Sequence, residues 1–366
     1  MNRTNNSGLD IKTKEKHMAQ LQQYRDDVLR PHPELRSLFF ELTVACNEHC
    51  RHCGSQCGDV KGGTPLTASQ WKGILDSVKR DFSIKKLNLN ITGGEPLLCP
   101  DFFEITSYAA SQGFNWGMTS NGTLITPEVA KKLHEAGMKT ISISVDGLKE
   151  THDWFRESEG SYEKTISGIK NLINEGGFLH VQVTTVVHHR NINELPALYE
   201  IMKGLGIRSW RVINIEPIGR ARNNPDLMLT KDEYQKMFDF IRKHRFEDKM
   251  EITYGCSHYL GTDYEREVRK WYFLCNAGVY TASIMHNGDV VSCLDIERRP
   301  ELVEGNVKEK SFKEIWDKGF KIYRSDYRKC GKCKECEEYG FCAGDSFHTW
   351  DFDKMEPIIC MRDILK

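Results

Sequence analysis

The sequence predicts an α/β protein in two parts: a partial (β/α)6 barrel, similar to an incomplete TIM barrel, and a smaller cysteine-rich domain behind it. Six apolar segments typical of strands alternate with helical segments about every 25–35 residues. The strand candidates are residues 38–44, 87–91, 114–118, 140–145, 180–187 and 210–215. Strands joined by helices pair in parallel, and six units fall short of the eight that close a TIM barrel. We therefore expect an open barrel.

Local sequence signals predict where the intervening helices begin. They are the capping box Thr67-x-x-Gln70 before residues 71–78, the pair Thr126-Pro127 in a helix ending at Gly137, Asn193 before a helix to Gly204 or Gly206, and Thr230 before a helix to His244. In each case a polar side chain can accept a hydrogen bond from the first helical turn. Proline is tolerated in the first turn, because the backbone N–H that it lacks has no hydrogen-bond partner within the helix at that position.

The pattern changes after Gly219. A polar stretch and a helix lead into short strands, with Gly288-Asp289 as a hairpin turn between strands at 282–285 and 290–293. We expect an N-terminal arm packed on the barrel (1–35), the barrel (36–225), a linker helix (226–250) and the cysteine-rich domain (251–366).

Composition narrows the class of protein. Of 366 residues, 39% are hydrophobic and 28% are charged, as in soluble globular proteins. No run approaches the ~18–20 apolar residues of a membrane helix, and the polar first residues do not resemble a signal peptide. The net charge of -1 argues against a nucleic-acid partner. We expect a cytoplasmic protein that binds neither nucleic acid nor membrane.

Cysteine is unusually frequent, with 13 residues, of which eleven fall in two clusters. Close spacing without a secretory signal indicates metal ligation rather than disulfides. Cys46, Cys50 and Cys53 directly follow the first strand. Three thiolates can hold three irons of a four-iron cluster and leave the fourth open. A zinc site is the alternative, with Cys57 as its fourth ligand.

Other polar residues also follow predicted strands. They are Thr92–Pro96, Thr119–Gly122, Ser144–Gly147, His188, His189 and Asn191, and finally Glu216 and Arg220. The carboxyl ends of parallel barrel strands meet at one rim, where functional residues collect. The Gly-Gly, Asn-Gly and Asp-Gly pairs among them are also common in ordinary turns. Turns alone, however, do not explain why all of these residues occur beside three cysteines.

Three motifs on this rim resemble the radical S-adenosylmethionine (SAM) superfamily over about residues 36–220: CxxxCxxC, the GGEP of residues 93–96 and the SxDG of residues 144–147. The resemblance implies that Cys46, Cys50 and Cys53 hold a [4Fe-4S] cluster that binds SAM. It also implies that Gly93, Gly94 and Glu95 bind the methionine end of SAM and that His52 contacts the cofactor. By similarity to anaerobic sulfatase-maturating enzymes, it implies further cofactor contacts by Ser144, Asp146, Arg156 and Ile215. His52 stands where the family usually has an aromatic residue.

The later cysteines resemble the SPASM extension of peptide-modifying members, which implies one or two auxiliary [4Fe-4S] clusters. We assign Cys333, Cys336, Cys342 and Cys360 to one cluster, and Cys275, Cys293 and Cys330 to the other. Ser346 replaces a family cysteine, so a single twitch-like auxiliary cluster is the alternative. A zinc ribbon is another. Cys57, Cys99 and Cys256 have no assigned role. Asp295 lies near the place of a catalytic base in the sulfatase-maturating enzymes, but Leu294 occupies the adjacent position.

The resemblance implies an enzyme that reductively cleaves SAM to a 5′-deoxyadenosyl radical and abstracts hydrogen from a peptide or protein, with oxidation, crosslinking or epimerisation as the outcome. It also implies an electron donor such as flavodoxin or ferredoxin. One alternative substrate is a small molecule, either a sugar or a tetrapyrrole side chain. The alternative of another class is a non-catalytic iron–sulfur protein for electron transfer or binding, which has no need of the GGEP or SxDG motifs.

Overall fold

The computed structural model describes residues 7–58, 63–245, 250–255 and 257–365. Its main feature is a ten-stranded sheet in the order β10-β9-β8-β1-β2-β3-β4-β5-β6-β7. The strands are β1 (Ser37–Glu41), β2 (Asn88–Thr92), β3 (Asn115–Ser120), β4 (Thr140–Ser144), β5 (His180–Val187), β6 (Ser209–Asn214), β7 (Glu251–Tyr254), β8 (Thr281–Ile284), β9 (Asp289–Val291) and β10 (Gly305–Asn306). A separate hairpin joins β11 (Trp350–Asp351) to β12 (Glu356–Pro357).

All six predicted strands are present, and each pairs in parallel with the next. The register places Phe40 opposite Ile91 and Met118 opposite Ile141. The first strand ends at Glu41, three residues before the predicted end at Val44. Beyond Glu41 the chain turns into the loop that carries the front cysteines. The α/β prediction of an open, largely parallel barrel is confirmed.

The sheet does not stop at residue 225. β7 extends it in parallel beside β6, and β8 pairs in parallel with β1 at the other side. The predicted hairpin is present as β8 and β9, with Gly288 at its turn. The division at residue 225 stays a prediction about folding units, because the hydrogen-bonded sheet continues on both sides of it.

The helices of the described residues lie between and beside these strands. They are α1 (Ile11–Tyr24), α2 (Ala68–Asp81), α3 (Phe102–Ser111), α4 (Pro127–Glu135), α5 (Lys149–Arg156), α6 (Ser161–Glu175), α7 (Leu195–Gly204), α8 (Lys231–His244), α9 (Gly261–Tyr264), α10 (Phe312–Lys318), α11 (Tyr339–Cys342) and α12 (Met361–Leu365). A π-helical turn, Arg25–Leu29, extends α1. Among the described residues, no helix is long and apolar enough to cross a bilayer.

Three of the four predicted helix starts are confirmed. Thr67 and Thr230 each form a full capping box, and Thr126 caps α4 with Pro127 in its first turn. The prediction at Asn193 is wrong, because α7 begins at Leu195 after a short 3-10 turn. The Asn193 side chain instead accepts a bond from Lys236, and no side chain caps this start.

Strand residues divide by face into an apolar outer set and a polar inner set. The outer set packs against the helices and includes Leu38, Phe40, Ile91, Ile143 and Trp210, all nearly or fully buried. The alternating inner residues line a cavity inside the open barrel. The period of two along a strand separates these faces, so the same sequence supplies both a core and a polar interior.

The N-terminal helix packs elsewhere than we expected. Met18 of α1 is buried against Tyr259, Tyr272 and Phe273, which belong to the segment after β7 and not to the barrel helices. Lys14 forms a buried ion pair with Glu267, with Nζ 2.7 Å from Oε1. The arm therefore covers the cysteine-rich half of the chain.

Candidate active site

A cavity of about 1280 Å³ occupies the inside of the open barrel. Cys46, Cys50 and Cys53 line it at the carboxyl ends of the strands, and Cys275 and Cys293 line it from the later part of the chain. Pockets for drug-sized ligands are usually about 300–1,000 Å³. The barrel therefore has room for a cofactor and a substantial substrate together.

The three front cysteines lie on one loop after β1. Burial raises the pKa of Cys46 and of Cys50, and the nearby charge of Cys53 raises both further. A hydrogen bond from Cys57 lowers the pKa of Cys53 to about 6. Cys57 thus lies against Cys53, where it favours the thiolate form that binds metal.

In the described part of the chain, no three His, Cys, Asp or Glu side chains converge closely enough to hold one metal ion. A four-iron cluster takes one thiolate per iron, so its ligands need not converge on a single point. The shared cavity wall of Cys46, Cys50 and Cys53 fits that requirement.

Gly93 and Gly94 allow two loops to touch. A Cβ on Gly94 would lie 2.2 Å from the Ala45 carbonyl oxygen, and one on Gly93 would lie 2.4 Å from the Thr43 carbonyl oxygen. The Gly94 N–H donates to Thr43 O at 2.8 Å. Both glycines line the cavity, so they fix the cysteine loop and leave backbone open to a ligand.

Glu95 lies behind these glycines and is not part of the cavity wall. Its carboxylate accepts hydrogen bonds from Ser120 Oγ and from Asn121 N, both at 2.9 Å. Complete burial raises its pKa to about 7, even though these donors favour the charged form. In the structure Glu95 therefore ties the end of β3 to the glycine loop.

Arg156 joins the cysteine loop to the end of β4. Its guanidinium binds Asp146 Oδ2 at 2.6 Å and Glu48 Oε2 at 2.8 Å, and all three side chains are almost fully buried. Burial alone would raise the pKa of Asp146, but Arg156 and nearby histidines outweigh burial and lower it to about 2. Val186 N and His152 also bind this segment. Arg156 lines the cavity, whereas Asp146 lies outside the cavity wall and binds the Arg156 guanidinium from that side.

The sequence analysis missed Glu48. This carboxylate accepts bonds from Arg156 and from Ser161 Oγ, and it faces the Cys50 thiol at 3.9 Å. Its only signal in the sequence is its place between the first two cysteines of the motif. Glu48 therefore connects the cysteine loop, on which it lies, to the buried ion pair with Arg156.

An aromatic stack forms one wall next to the cysteines. The His52 ring lies 4.2 Å from Phe155 and almost parallel to it, and Phe155 in turn stacks on His188 at 4.1 Å. Burial lowers the pKa of His52 to about 4 and that of His188 to about 3, so both are neutral at pH 7. Ile215 packs on Phe155, and Ser144 lies at the cavity wall at the end of β4.

His52 Nδ1 is buried and has no hydrogen-bond partner within the described residues. A buried polar atom without a partner costs free energy, so a ligand that supplies one would bind favourably there. The uncovered glycine backbone, the open His52 nitrogen and the three thiols together fit a polar cofactor bound beside a cluster.

A second buried charge group connects the barrel to the later chain. His258 lies between two carboxylates, with Nε2 2.8 Å from Glu216 Oε1 and Nδ1 2.6 Å from Asp345 Oδ2. Burial opposes the charge on His258, but the two carboxylates prevail and raise its pKa to about 10. Glu216 lines the cavity. Neither His258 nor Asp345 belongs to a recognisable sequence motif.

The rim histidines differ in environment. His188 is fully buried, whereas His189 is largely exposed and pairs with Glu233 at 2.7 Å. Asp295 lines the cavity with Cys293, whose sulfur lies 3.9 Å from the Asp295 carboxylate. Asp295 is thus placed where it can meet a substrate.

The later cysteines form two groups in space. Burial raises the pKa of Cys333 to about 11, and the charges of Cys360, Cys336 and Cys330 contribute. These four thiols therefore lie near one another, beside Tyr339 and Trp350. None of the four lines the cavity.

Cys342 and Cys275 both pack against the cluster of Met18, Tyr259 and Phe273. Burial lowers the pKa of the Arg328 side chain, and the charges of Cys275 and Cys342 both oppose that effect, so both thiols lie near this guanidinium. Cys293 lies near Cys275 across Tyr323. We predicted Cys342 in one set with Cys333, Cys336 and Cys360, and Cys330 in the other with Cys275 and Cys293. Here Cys342 lies beside Cys275, and Cys330 lies beside Cys333, although the charge of Cys360 also reaches Cys342. The division of these cysteines between two clusters stays a prediction. Cys99 is half-buried, and Cys256 lies outside the described residues.

Comparison with known proteins decides the family. Residues 40–202 match the radical SAM superfamily, and residues 275–337 match an iron–sulfur cluster-binding domain, SPASM. The AdoMet-dependent heme synthase of Methanosarcina barkeri is 32% identical over 349 residues, which cover 89% of this chain and 97% of that protein. The chain belongs to the radical SAM superfamily.

Other radical SAM proteins match at lower identity. The mycofactocin maturase MftC of Mycobacterium tuberculosis is 29% identical over 84% of this chain and 77% of its own length. The Fe-coproporphyrin III synthase of Methanosarcina barkeri is 25% identical over 81% and 79%. The solved structure of native anSMEcpe with bound AdoMet shares the fold, with a TM-score of 0.71 at 18% identity over 90% of this chain and 94% of that one.

These matches confirm the prediction of a radical SAM enzyme with a SPASM-type domain. Radical SAM and SPASM domains bind [4Fe-4S] clusters, and SAM is the cofactor of the superfamily. The relatives are named as enzymes, which excludes the alternative of a non-catalytic iron–sulfur protein.

Proposed function

We propose that this radical SAM enzyme oxidatively modifies a side chain of a tetrapyrrole. The observation that carries the proposal is the large cavity, lined by both polar and apolar side chains, that extends from the front cysteines to Cys275 and Cys293. The near-complete alignment with a heme synthase supports it, as does the match to an Fe-coproporphyrin III synthase. This substrate is the small-molecule alternative of the sequence analysis.

When bound, the cluster and SAM supply the 5′-deoxyadenosyl radical, which abstracts hydrogen from an unactivated carbon. The chain positions both partners. In this proposal Cys46, Cys50 and Cys53 hold the cluster, and the open backbone of Gly93 and Gly94 with Ser144 and Arg156 holds SAM. His52 and Ile215 provide a flat, largely apolar wall for adenine.

Two residues in this proposal act from behind the wall. Asp146 fixes the Arg156 guanidinium, and Glu95 fixes the loop that carries the glycines. Their buried carboxylates are satisfied by the protein itself, so we assign them positioning roles. Asp295 remains our candidate for acid/base work at the substrate, since it lines the cavity beside Cys293.

For the auxiliary clusters, we propose the spatial grouping rather than the one expected from the sequence. Cys330, Cys333, Cys336 and Cys360 would hold one cluster, and Cys275, Cys293 and Cys342 the other. The second set lacks a fourth cysteine. Iron analysis tests this: about 12 irons per chain indicates three clusters and about eight indicates two. Cys333→Ala and Cys275→Ala should each lose about four.

Anaerobic incubation with SAM, dithionite and Fe-coproporphyrin III tests the proposed activity. We expect 5′-deoxyadenosine and a change in the mass of the tetrapyrrole in proportion to it. Cys50→Ala is the control and should give neither. If the wild-type protein forms 5′-deoxyadenosine but leaves the tetrapyrrole unchanged, the substrate is a different one. A parallel reaction in which flavodoxin or ferredoxin replaces dithionite tests the proposed electron donor.

Peptide maturation is the second candidate, because MftC aligns with 84% of this chain. The open side of the barrel also offers a path for a polypeptide. Co-expression with peptides encoded beside this protein, followed by mass spectrometry, tests this candidate. A stable mass shift that depends on Cys50 supports it, and unmodified peptides across the set argue against it.

A further inference from the structure

Arg211 is an arginine inside the barrel that has no acidic partner among the described residues. It lies on β6 and is half-buried, and its side chain lines the central cavity. Across the described residues, no carboxylate oxygen lies within 4.0 Å of its guanidinium nitrogens, since no ion pair includes it. The one hydrogen bond it makes there is from Nε to Thr184 Oγ1, at 3.2 Å.

Four of the five carboxylates that line the cavity already pair with a cationic side chain, namely Glu41, Glu48, Glu216 and Glu251. The fifth, Asp295, contacts Cys293 and forms no ion pair with Arg211 among the described residues. The cavity wall therefore leaves the terminal nitrogens of Arg211 to a ligand. Withdrawing a guanidinium from water costs free energy unless an acceptor compensates for it. A ligand with a negative group would supply that acceptor.

The neighbouring residues orient the guanidinium. Thr184 Oγ1 accepts from Arg211 Nε and also contacts Ser142 Oγ at 2.7 Å, so hydroxyl groups of β4 and β5 support the side chain. Gly255 of the next segment lies beside this side chain, since a Cβ there would be in ordinary van der Waals contact with Arg211 Cδ, at 3.9 Å. The two terminal nitrogens are left for a planar, bidentate acceptor such as a carboxylate.

The distance of Arg211 from the proposed adenine wall also suits a large substrate. Arg211 and Ile213 lie on the inner face of β6, Ile215 directly follows the strand, and all three line the cavity. Ile215 belongs to the proposed adenine wall, and four strand residues span about 13 Å. A group held by Arg211 is therefore well separated from the place where hydrogen abstraction would occur. A porphyrin with carboxylate side chains around its ring can meet both places at once.

We propose that Arg211 binds a carboxylate of the substrate and thereby sets both its orientation and the choice of a carboxylated tetrapyrrole. This inference rests on the proposed function and assigns a specificity-determining residue to it. Thr184 is a positioning residue, since it acts through Arg211.

Binding of Fe-coproporphyrin III, followed by its absorbance under anaerobic conditions, tests the assignment without turnover. We expect Arg211→Gln to weaken binding at least tenfold. Arg211→Lys should be intermediate, because an ammonium lacks the bidentate fork. Thr184→Val should weaken binding two- to fivefold. Arg80→Gln, an exposed arginine on α2 paired with Asp81, is the matched control and should bind like wild type.

The methyl ester of the same porphyrin separates charge recognition from cavity shape. Wild type and Arg211→Gln should bind this ester equally, provided that circular dichroism and iron content show an intact variant. Wild-type affinity of Arg211→Gln for the free acid would overturn the assignment. Equal losses for acid and ester would also overturn it. If wild type binds no Fe-coproporphyrin III at all, the proposed function fails and this inference fails with it.

Discussion

Gly94 has no side chain where the cysteine loop and the glycine loop meet, and this contact fixes the loop geometry. The Ala45 carbonyl oxygen occupies the space of a Cβ at 2.2 Å, and Cys46 Cβ lies 3.0 Å away. Backbone atoms cannot move aside as a flexible side chain can. The position of the first cysteine thus depends on a residue 48 positions further along the chain.

We expect Gly94→Ala to displace the cysteine loop and to lower the iron content by about four atoms per chain, one cluster. Iron analysis and the yield of 5′-deoxyadenosine measure this. Gly73→Ala is the control, since nothing lies within 4 Å of its Cβ and it lies inside α2. There alanine should stabilise the helix by about 0.5–1 kcal/mol. Full iron content in Gly94→Ala would contradict the prediction.

His258 holds two buried carboxylates together, and its replacement would leave both without a counter-charge. We expect His258→Gln to lower the free energy of unfolding by about 3–5 kcal/mol at pH 6.5. Anaerobic urea unfolding measures the loss. His134→Gln is the matched control, because His134 pairs with Glu175 at an exposed site, and it should lose less than about 1 kcal/mol.

The pH dependence follows from the raised pKa of His258. Its stabilising effect is complete below the ordinary value of 6.5 and is lost as the pH rises through about 10. The difference in unfolding free energy between wild type and His258→Gln should therefore shrink between these values. A difference that stays constant from pH 6.5 to 10 would show that His258 is not charged in the folded protein.

At the scale of elements, α1 packs against the segment after β7, and its two buried residues take part in these contacts. Met18 packs in the aromatic cluster, and Lys14 neutralises Glu267, whose side chain is only 3% exposed. Most of the remaining α1 surface is exposed. The helix therefore depends on this segment, and the segment depends on the helix.

We expect Lys14→Ala to lower the free energy of unfolding by about 3 kcal/mol, because among the described residues it leaves the buried Glu267 carboxylate with only the hydroxyl and amide donors of Ser7. Limited trypsin digestion should also cut faster near Arg266 and Lys270. The control is Lys16→Ala, at an exposed position on the same helix. Equal digestion of the two variants would show that the Lys14 ion pair does not secure this segment.

At the scale of the whole molecule, the barrel shares its sheet with the later chain. β8 pairs with β1 along four residues, and Ile284 and Ala282 are fully buried in the core. Removing the chain after residue 245 would expose the edge of β1 and part of the core. Exposed strand edges with apolar neighbours promote aggregation.

A chain that ends at residue 245 should therefore be insoluble or form aggregates. Size-exclusion chromatography and circular dichroism check this, with the full chain as the reference. The predicted boundary at residue 225 would describe an independent folding unit only if the shortened protein were monomeric and unfolded cooperatively.

Much of the architecture could be predicted because its determinants are local. A strand such as 180–187 is recognised from the apolar pattern of its own few residues. Thr67, Thr126 and Thr230 mark helix starts because their own side chains cap the first turn. The CxxxCxxC motif likewise lies on one loop. The start of α7 was missed because its signal, Asn193, bonds to a lysine on α8 instead.

Local patterns were enough to predict the open α/β barrel, the front cysteine loop and the family, because each depends on neighbouring residues or on one compact motif. The packing of α1 and the contacts of His258 with Glu216 and with Asp345, 87 residues further along the chain, are seen only in the folded molecule. The same holds for Arg211: strand periodicity predicts its inward face, but not that the described residues place no acidic partner beside it. Ion pairing and burial depend on residues brought close from distant parts of the chain, and no local pattern records them.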